Sequence, residues 1–198
     1  MTLKFIRKLI RHSPLIIGTA GFLLFSAFGL VSLIQSGLRL APVVGIVVGA
    51  ALILSSLIHR FDSPKRRIYY LILLGLYIIG VLFIGLRPRS TGIWHIPRPS
   101  QLLTLEYPST WDTLINIIGF IPLGFLFVIT FRYIKRLAGI WKQVLPAVFL
   151  STAISLLIET GQHLLAAGRS SSLTDVITNT IGAVIGAAYA AFYLKAWE

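Results

Sequence analysis

A few polar side chains in an otherwise apolar chain have types and spacings that can do chemistry. Glu159 and Gln162 stand three residues apart in the string IETGQ, 158–162. Asp112 with Asn116, and Asp175 with Asn179, stand four apart. Spacings of three and four put side chains on one helix face. A carboxylate there can act as general acid or base with a second carboxylate as its partner. Amides can hydrogen-bond a sugar or peptide group. Arg87 and Arg169 add the guanidinium fork that fits phosphate or carboxylate. If the chain is an enzyme, Glu159 is the candidate acid or base, Asp112 or Asp175 its partner, and the arginines stabilise developing charge. If it binds without reaction, Arg87, Asn116, Gln162, Arg169 and Asn179 are the candidate ligand contacts.

The two Asp/Asn pairs belong to a repeated frame. Residues 109–119 read STWDTLINIIG and 172–182 read SLTDVITNTIG, and both fit S-x-x-D-x-x-x-N-x-x-G. At about 100° per residue, Asn lies roughly 40° from Asp and Gly roughly 20° to the other side. Asp112, Asn116 and Gly119 therefore form one stripe, and Asp175, Asn179, Gly182 and Gly186 another. Small residues let helices approach, and Asn can hydrogen-bond between them. The stripes are expected to face each other or a shared cavity.

A plainer reading stands beside this one. S-x-x-D is a capping-box-like helix start, and an acid in the first turn suits the helix dipole. Ser109 with Asp112, and Ser172 with Asp175, would then simply begin two helices, with the Asn residues as interhelical glue. Glu159 begins no helix, and its plain alternative is a buried pair with Arg169. Pro122 frees the carbonyl of Ile118, and a kink there would widen the space beside Asn116. Gly124 falls twelve residues after Asp112 and drifts off the stripe. The repeat is local, not a duplication of the whole domain.

The elements that position these residues follow from composition. The 198 residues are 56% hydrophobic and only 12% charged, more apolar surface than one small soluble core buries. About 20 mostly apolar residues cross a bilayer. Six stretches qualify, at 14–34, 40–58, 68–86, 112–131, 143–163 and 175–194. The expected fold is an all-α polytopic membrane protein of about six transmembrane helices. No small-residue cleavage site follows the first stretch, so no cleavable signal is expected. There is no cysteine, which excludes disulfides and thiolate chemistry. No closely spaced His/Asp motif suggests a metal, and no cofactor is expected.

The net charge of +12 invites a nucleic-acid partner, but its distribution argues against one. With the N-terminus inside, 13 of the 18 Lys and Arg residues fall on the cytoplasmic side. That is the positive-inside pattern, with both termini cytoplasmic. Glu106, Asp112, Glu159 and Asp175 then gather at the outer face with Arg87, Arg98 and Arg169. The loop 87–111 is proline-broken, and Trp94 and Trp111 fit an interfacial belt. It reads as a lid or as an ordinary interfacial loop.

The strings RP at 87–88, DTLINIIGFIPLGFL at 112–126, IETGQ at 158–162 and GRSSSLTDVITNTIGAVIG at 168–186 together resemble the VanZ-like family of bacterial membrane proteins. The resemblance covers about 68–195 and implies a core at 68–198 behind a two-helix extension at 1–67. Its motif falls on Arg87, Asp112, Asn116, Pro122, Glu159, Gln162, Arg169, Asp175 and Asn179. One family member is associated with teicoplanin resistance. The implied function is an outward-facing polar site in the bacterial cytoplasmic membrane, for a lipid, a lipid-linked envelope precursor or a lipoglycopeptide. The alternatives are an enzyme acting on a lipid head group and a transporter or flippase.

Overall fold

A computed structural model of the protein describes residues 4–14, 16–17, 19–20, 23, 40–59, 63–86, 105, 110–135, 139–164 and 171–197. Six helices run through them. They are α1 (4–14), α2 (Leu40–Ile58), α3 (Ser63–Gly85), α4 (Thr110–Lys135), α5 (Ile140–Leu164) and α6 (Leu173–Trp197). The chain is an all-α polytopic membrane protein. Four helices, α3 to α6, are long and apolar enough to cross a bilayer. At 1.5 Å per residue, the 19 residues of α2 reach about 28 Å. Most of the stretch at 14–34 lies outside the described residues.

The boundaries follow simple chemistry. The helix α4 runs unbroken through Pro122. The helix α5 begins at Ile140 and carries Pro146 inside, three residues ahead of the expected start. Just before it, Gly139 takes a φ of +96°, a left-handed conformation that costs glycine little.

Two helices form the centre. More than half of the spans in α4 and α6 is buried (56% each), against 22% for α3 and 28% for α5. Leu123, Phe125, Leu126, Val128 and Ile129 of α4 are fully enclosed. Around this pair, α3 exposes Ile72, Leu76, Ile79 and Phe83, and α5 exposes Leu145, Phe149 and Leu157. Such apolar outer faces suit lipid tails as solvent. Ala51, Leu52 and Ile58 of α2 join the same core, so α2 packs onto the bundle.

The α4–α6 seam is built on backbone contact. A Cβ on Gly182 would strike the carbonyl oxygen of Ile117, and one on Gly186 that of Ile121. From the other side, a Cβ on Gly124 would strike the carbonyl oxygen of Ala183. Only glycine fits at these three places, and the close approach favours Cα–H···O contacts.

The described charges divide between the two ends of the bundle. Among the described residues, every lysine and arginine lies at the end formed by α1, the starts of α3 and α5 and the ends of α4 and α6. Arg11 Nε donates to the Ala196 carbonyl at 2.7 Å there, and Ser13 shares a 2.7 Å hydrogen bond with Tyr189. Arg66 donates to the Tyr133 hydroxyl at 3.2 Å, and His59 Nδ1 meets the same hydroxyl at 3.2 Å. Tyr70 stacks on Tyr133 and donates to the Ser55 carbonyl at 2.8 Å. Burial, reinforced by the charges of Arg66 and Arg11, lowers the His59 pKa from 6.5 to about 4. The described carboxylates, Asp112, Glu159 and Asp175, all sit toward the other end.

Candidate functional site

At that acidic end, α3 and α5 finish while α4 and α6 begin. A cavity of about 90 Å³ opens between them, several times the roughly 10–15 Å³ that one water needs. Val47, Val81, Ile84, Ile115, Phe120 and Ile158 give its lining apolar surface, and Asn116, Glu159, Gln162, Asp175 and Asn179 give it polar groups.

The polar groups begin with α5. Ser151, Ser155, Glu159 and Gln162 are buried on one face at spacings of four, four and three. Glu159 is only 2% exposed. Its Oε2 accepts the backbone N–H of Ser172 at 2.8 Å. Ser172 in turn is the N-cap of α6, its carbonyl accepting the N–H groups of Asp175 (3.2 Å) and Val176 (3.3 Å). In a capping box, the acid at the third helical position would take the N-cap N–H. Here that N–H goes to Glu159 on another helix.

The amides are held with equal definition. Gln162 Nε2 donates to the carbonyl of Gly85, the last residue of α3, at 2.8 Å. Asn179 Nδ2 donates to Ser155 Oγ at 2.8 Å. The Asn179 Oδ1 is buried and has no hydrogen-bond partner among the described residues. The Tyr77 hydroxyl donates to the Gly119 carbonyl at 2.7 Å, fixing α3 against α4.

The two Asp/Asn/Gly stripes thus meet at a shared cavity, but only partly through one another. Asn116 and Gly119 of α4 line it with Asp175 and Asn179 of α6. The face of α4 in backbone contact with α6 is a different one, carrying Ile117, Ile121 and Gly124. Gly124 lies about 120° around the helix from Asp112. Its drift off the stripe is what turns it toward α6. Gly182 and Gly186 remain on the α6 stripe and form the seam, whereas Gly119 forms cavity wall. Pro122 is buried. Asp112 is exposed on the first turn of α4 and is not among the lining residues. Arg87, Arg169, Ser109 and nearly all of the loop 87–111 lie outside the described residues.

Sequence reasoning missed Ser155, Tyr77 and the bond from Ser172 to Glu159. The first left a signal, the four-residue ladder Ser151–Ser155–Glu159. The other two are long-range contacts that no local pattern encodes. Among the described residues, no group of three or more His, Cys, Asp or Glu side chains could hold a metal ion.

A bundle of apolar helices around a polar end cavity defines a polytopic membrane protein with a small internal site. Residues 68–194 match the VanZ/LLP1 family model, and the chain belongs to that family. Searches of curated proteins and of solved structures returned no match.

Proposed function

We propose that the cavity binds the head group of a membrane lipid or a lipid-linked envelope precursor at the outer face of the bacterial cytoplasmic membrane. The observation that carries this reading is a cavity whose lining joins the buried side chains of Glu159, Gln162 and Asn179 with apolar surface. An ionisable group within a span costs several kcal/mol unless it is paired or wet, so its place there calls for a role. A lining that combines polar and apolar surface matches an amphiphile. The described cations gather at one end, which by the positive-inside rule supports an orientation with that end in the cytoplasm and the cavity outside. Arg87 follows the end of α3 by two residues and Arg169 precedes Ser171 by two in the sequence, and both are proposed to hold a phosphate or carboxylate. A lipoglycopeptide such as teicoplanin, with its acyl chain, fits the same description, and occupancy by it would contribute to resistance.

A second reading is favoured by the two carboxylates, Glu159 and Asp175, on one cavity. In it the protein transfers or hydrolyses a lipid head group, with Glu159 as acid or base. Mass spectrometry of envelope lipids separates the two. Cells expressing the wild type, Glu159→Ala at matched membrane levels, or empty vector are compared. Unchanged lipid chemistry, with lipid co-purifying on the wild type and lost from the variant, is the expected result. A lipid species changed only by the wild type would mean catalysis, and neither effect would remove the head-group site altogether.

A further inference from the structure

We propose that α1 docks on the acidic phospholipids of the leaflet at the basic end of the bundle. Its apolar side lies among the acyl chains and its cations lie on the lipid phosphates. This surface is separate from the cavity and does not depend on what the cavity binds.

The sorting of side chains around the helix carries it. At roughly 100° per residue, Phe5, Ile6, Leu9 and Ile10 fall within one arc of about 140°. Lys4, Arg7, Lys8 and Arg11 fall within about 100° on the opposite side. Setting the topology of a span requires cations near its end, not cations on one face. The sorting therefore calls for a second cause. Phe5, Ile6 and Leu9 are 52%, 41% and 50% exposed, and Lys4, Arg7 and Lys8 are exposed as well. A helix with one cationic and one apolar face lies in the plane of a bilayer interface.

The bundle fixes where this helix stands. The bonds from Arg11 to the Ala196 carbonyl and between Ser13 and Tyr189 hold the last turns of α1 against the end of α6. The turns before them carry the exposed apolar and cationic side chains. Trp141, exposed at the start of α5, stands at the same end, and tryptophan favours the head-group level. The partner follows from charge and place. Acidic phospholipids supply an apolar layer and a negative surface together, and that surface attracts Lys and Arg within a short range. A soluble acidic protein would match the cations, but a helix tethered at the head-group level has the bilayer as its nearest apolar phase.

The test places the full chain, one copy per disc, in nanodiscs of phosphatidylcholine alone or with phosphatidylglycerol. Both faces of a disc are open to solvent, so orientation does not enter. Phe5→Cys and Lys8→Cys, in a chain with no cysteine of its own, each take a nitroxide label. A third label at Phe83→Cys, on the exposed face of α3, verifies that the bundle is embedded. Electron paramagnetic resonance then compares access by oxygen, which enters the bilayer, with access by a water-soluble nickel chelate. In discs with phosphatidylglycerol, position 5 should be open to oxygen and closed to the chelate, and position 8 the reverse. Replacing Lys4, Arg7 and Lys8 together by Gln changes only exposed side chains. It should lower the docked-to-free ratio at position 5 about a hundredfold. Salt at about 1 M, where the Debye length is about 3 Å, should weaken docking in the same direction. Chelate access at position 5 in discs with phosphatidylglycerol would overturn the proposal and leave the face to a soluble partner. Equal protection in both kinds of disc, unchanged by the Gln replacements, would overturn it too and mean that the chain covers this face itself.

Discussion

The backbone N–H of Ser172 lies 2.8 Å from the carboxylate of Glu159, and this bond ties the start of α6 to the inner face of α5. One side chain thus lines the cavity and also caps the helix that brings Asp175 and Asn179 to it. The two tasks can be separated. Glu159→Ala leaves a buried N–H unsatisfied, at a cost of about 1–3 kcal/mol. Glu159→Gln retains an acceptor and should unfold close to the wild type. Denaturant or thermal unfolding in detergent measures the difference, and equal loss in both variants would mean that the negative charge itself holds α6 in place.

The glycine seam makes a sharper demand. Gly186→Val and Gly182→Val drive a side chain into the α4 backbone, and overpacking of this kind costs about 1–3 kcal/mol or more. Gly75 and Gly80 on α3 have nothing within 4 Å of an added Cβ. Alanine there should be neutral or stabilising by roughly 0.5–1 kcal/mol. Melting temperatures of the four variants provide the comparison, and equal tolerance at all four would contradict the close approach of α4 and α6.

His59 sets a pH dependence at the basic end. Its folded pKa of about 4 lies below the ordinary 6.5. Between these values the unfolded chain binds a proton that the folded chain resists. Its contribution to stability is therefore complete above about pH 6.5 and is lost as the pH falls toward 4. A melting series from pH 7 to pH 4 should show this decline, flattened in His59→Gln. An unchanged slope in the variant would assign the acid sensitivity to other groups.

Orientation can be read directly, because the chain has no cysteine of its own. Thr110→Cys at the exposed start of α4 should react with an impermeant thiol reagent in intact spheroplasts. Lys65→Cys, exposed at the start of α3, should react only after permeabilisation. The opposite pattern would place the cavity in the cytoplasm.

Much of this architecture was legible in the sequence, because helices in lipid announce themselves by length and hydropathy. The runs at 68–86, 112–131 and 175–194 became α3, α4 and α6 with ends shifted by five residues or fewer. Five polar residues brought together by the cavity, Asn116, Glu159, Gln162, Asp175 and Asn179, could be chosen from spacing alone. Other features could not. The seam on α4 runs along Ile117, Ile121 and Gly124 because helix crossing, not local periodicity, selects the contact face. Asp112 and Asp175 look alike in the repeated frame, yet only Asp175 lines the cavity, because α6 starts against α5 whereas the first turn of α4 is exposed. The grip of Glu159 on Ser172 depends on tertiary folding and has no local trace.

The separation of charge along the bundle has an electrical consequence. Seated with its basic end on the negative side of an energised membrane, the protein has its described cations and carboxylates both where the voltage favours them. Carrying one elementary charge across costs about 2.3 kcal/mol per 100 mV. Inverting the molecule would oppose the field with every one of these described groups at once, so a membrane potential would favour the upright seating of these groups.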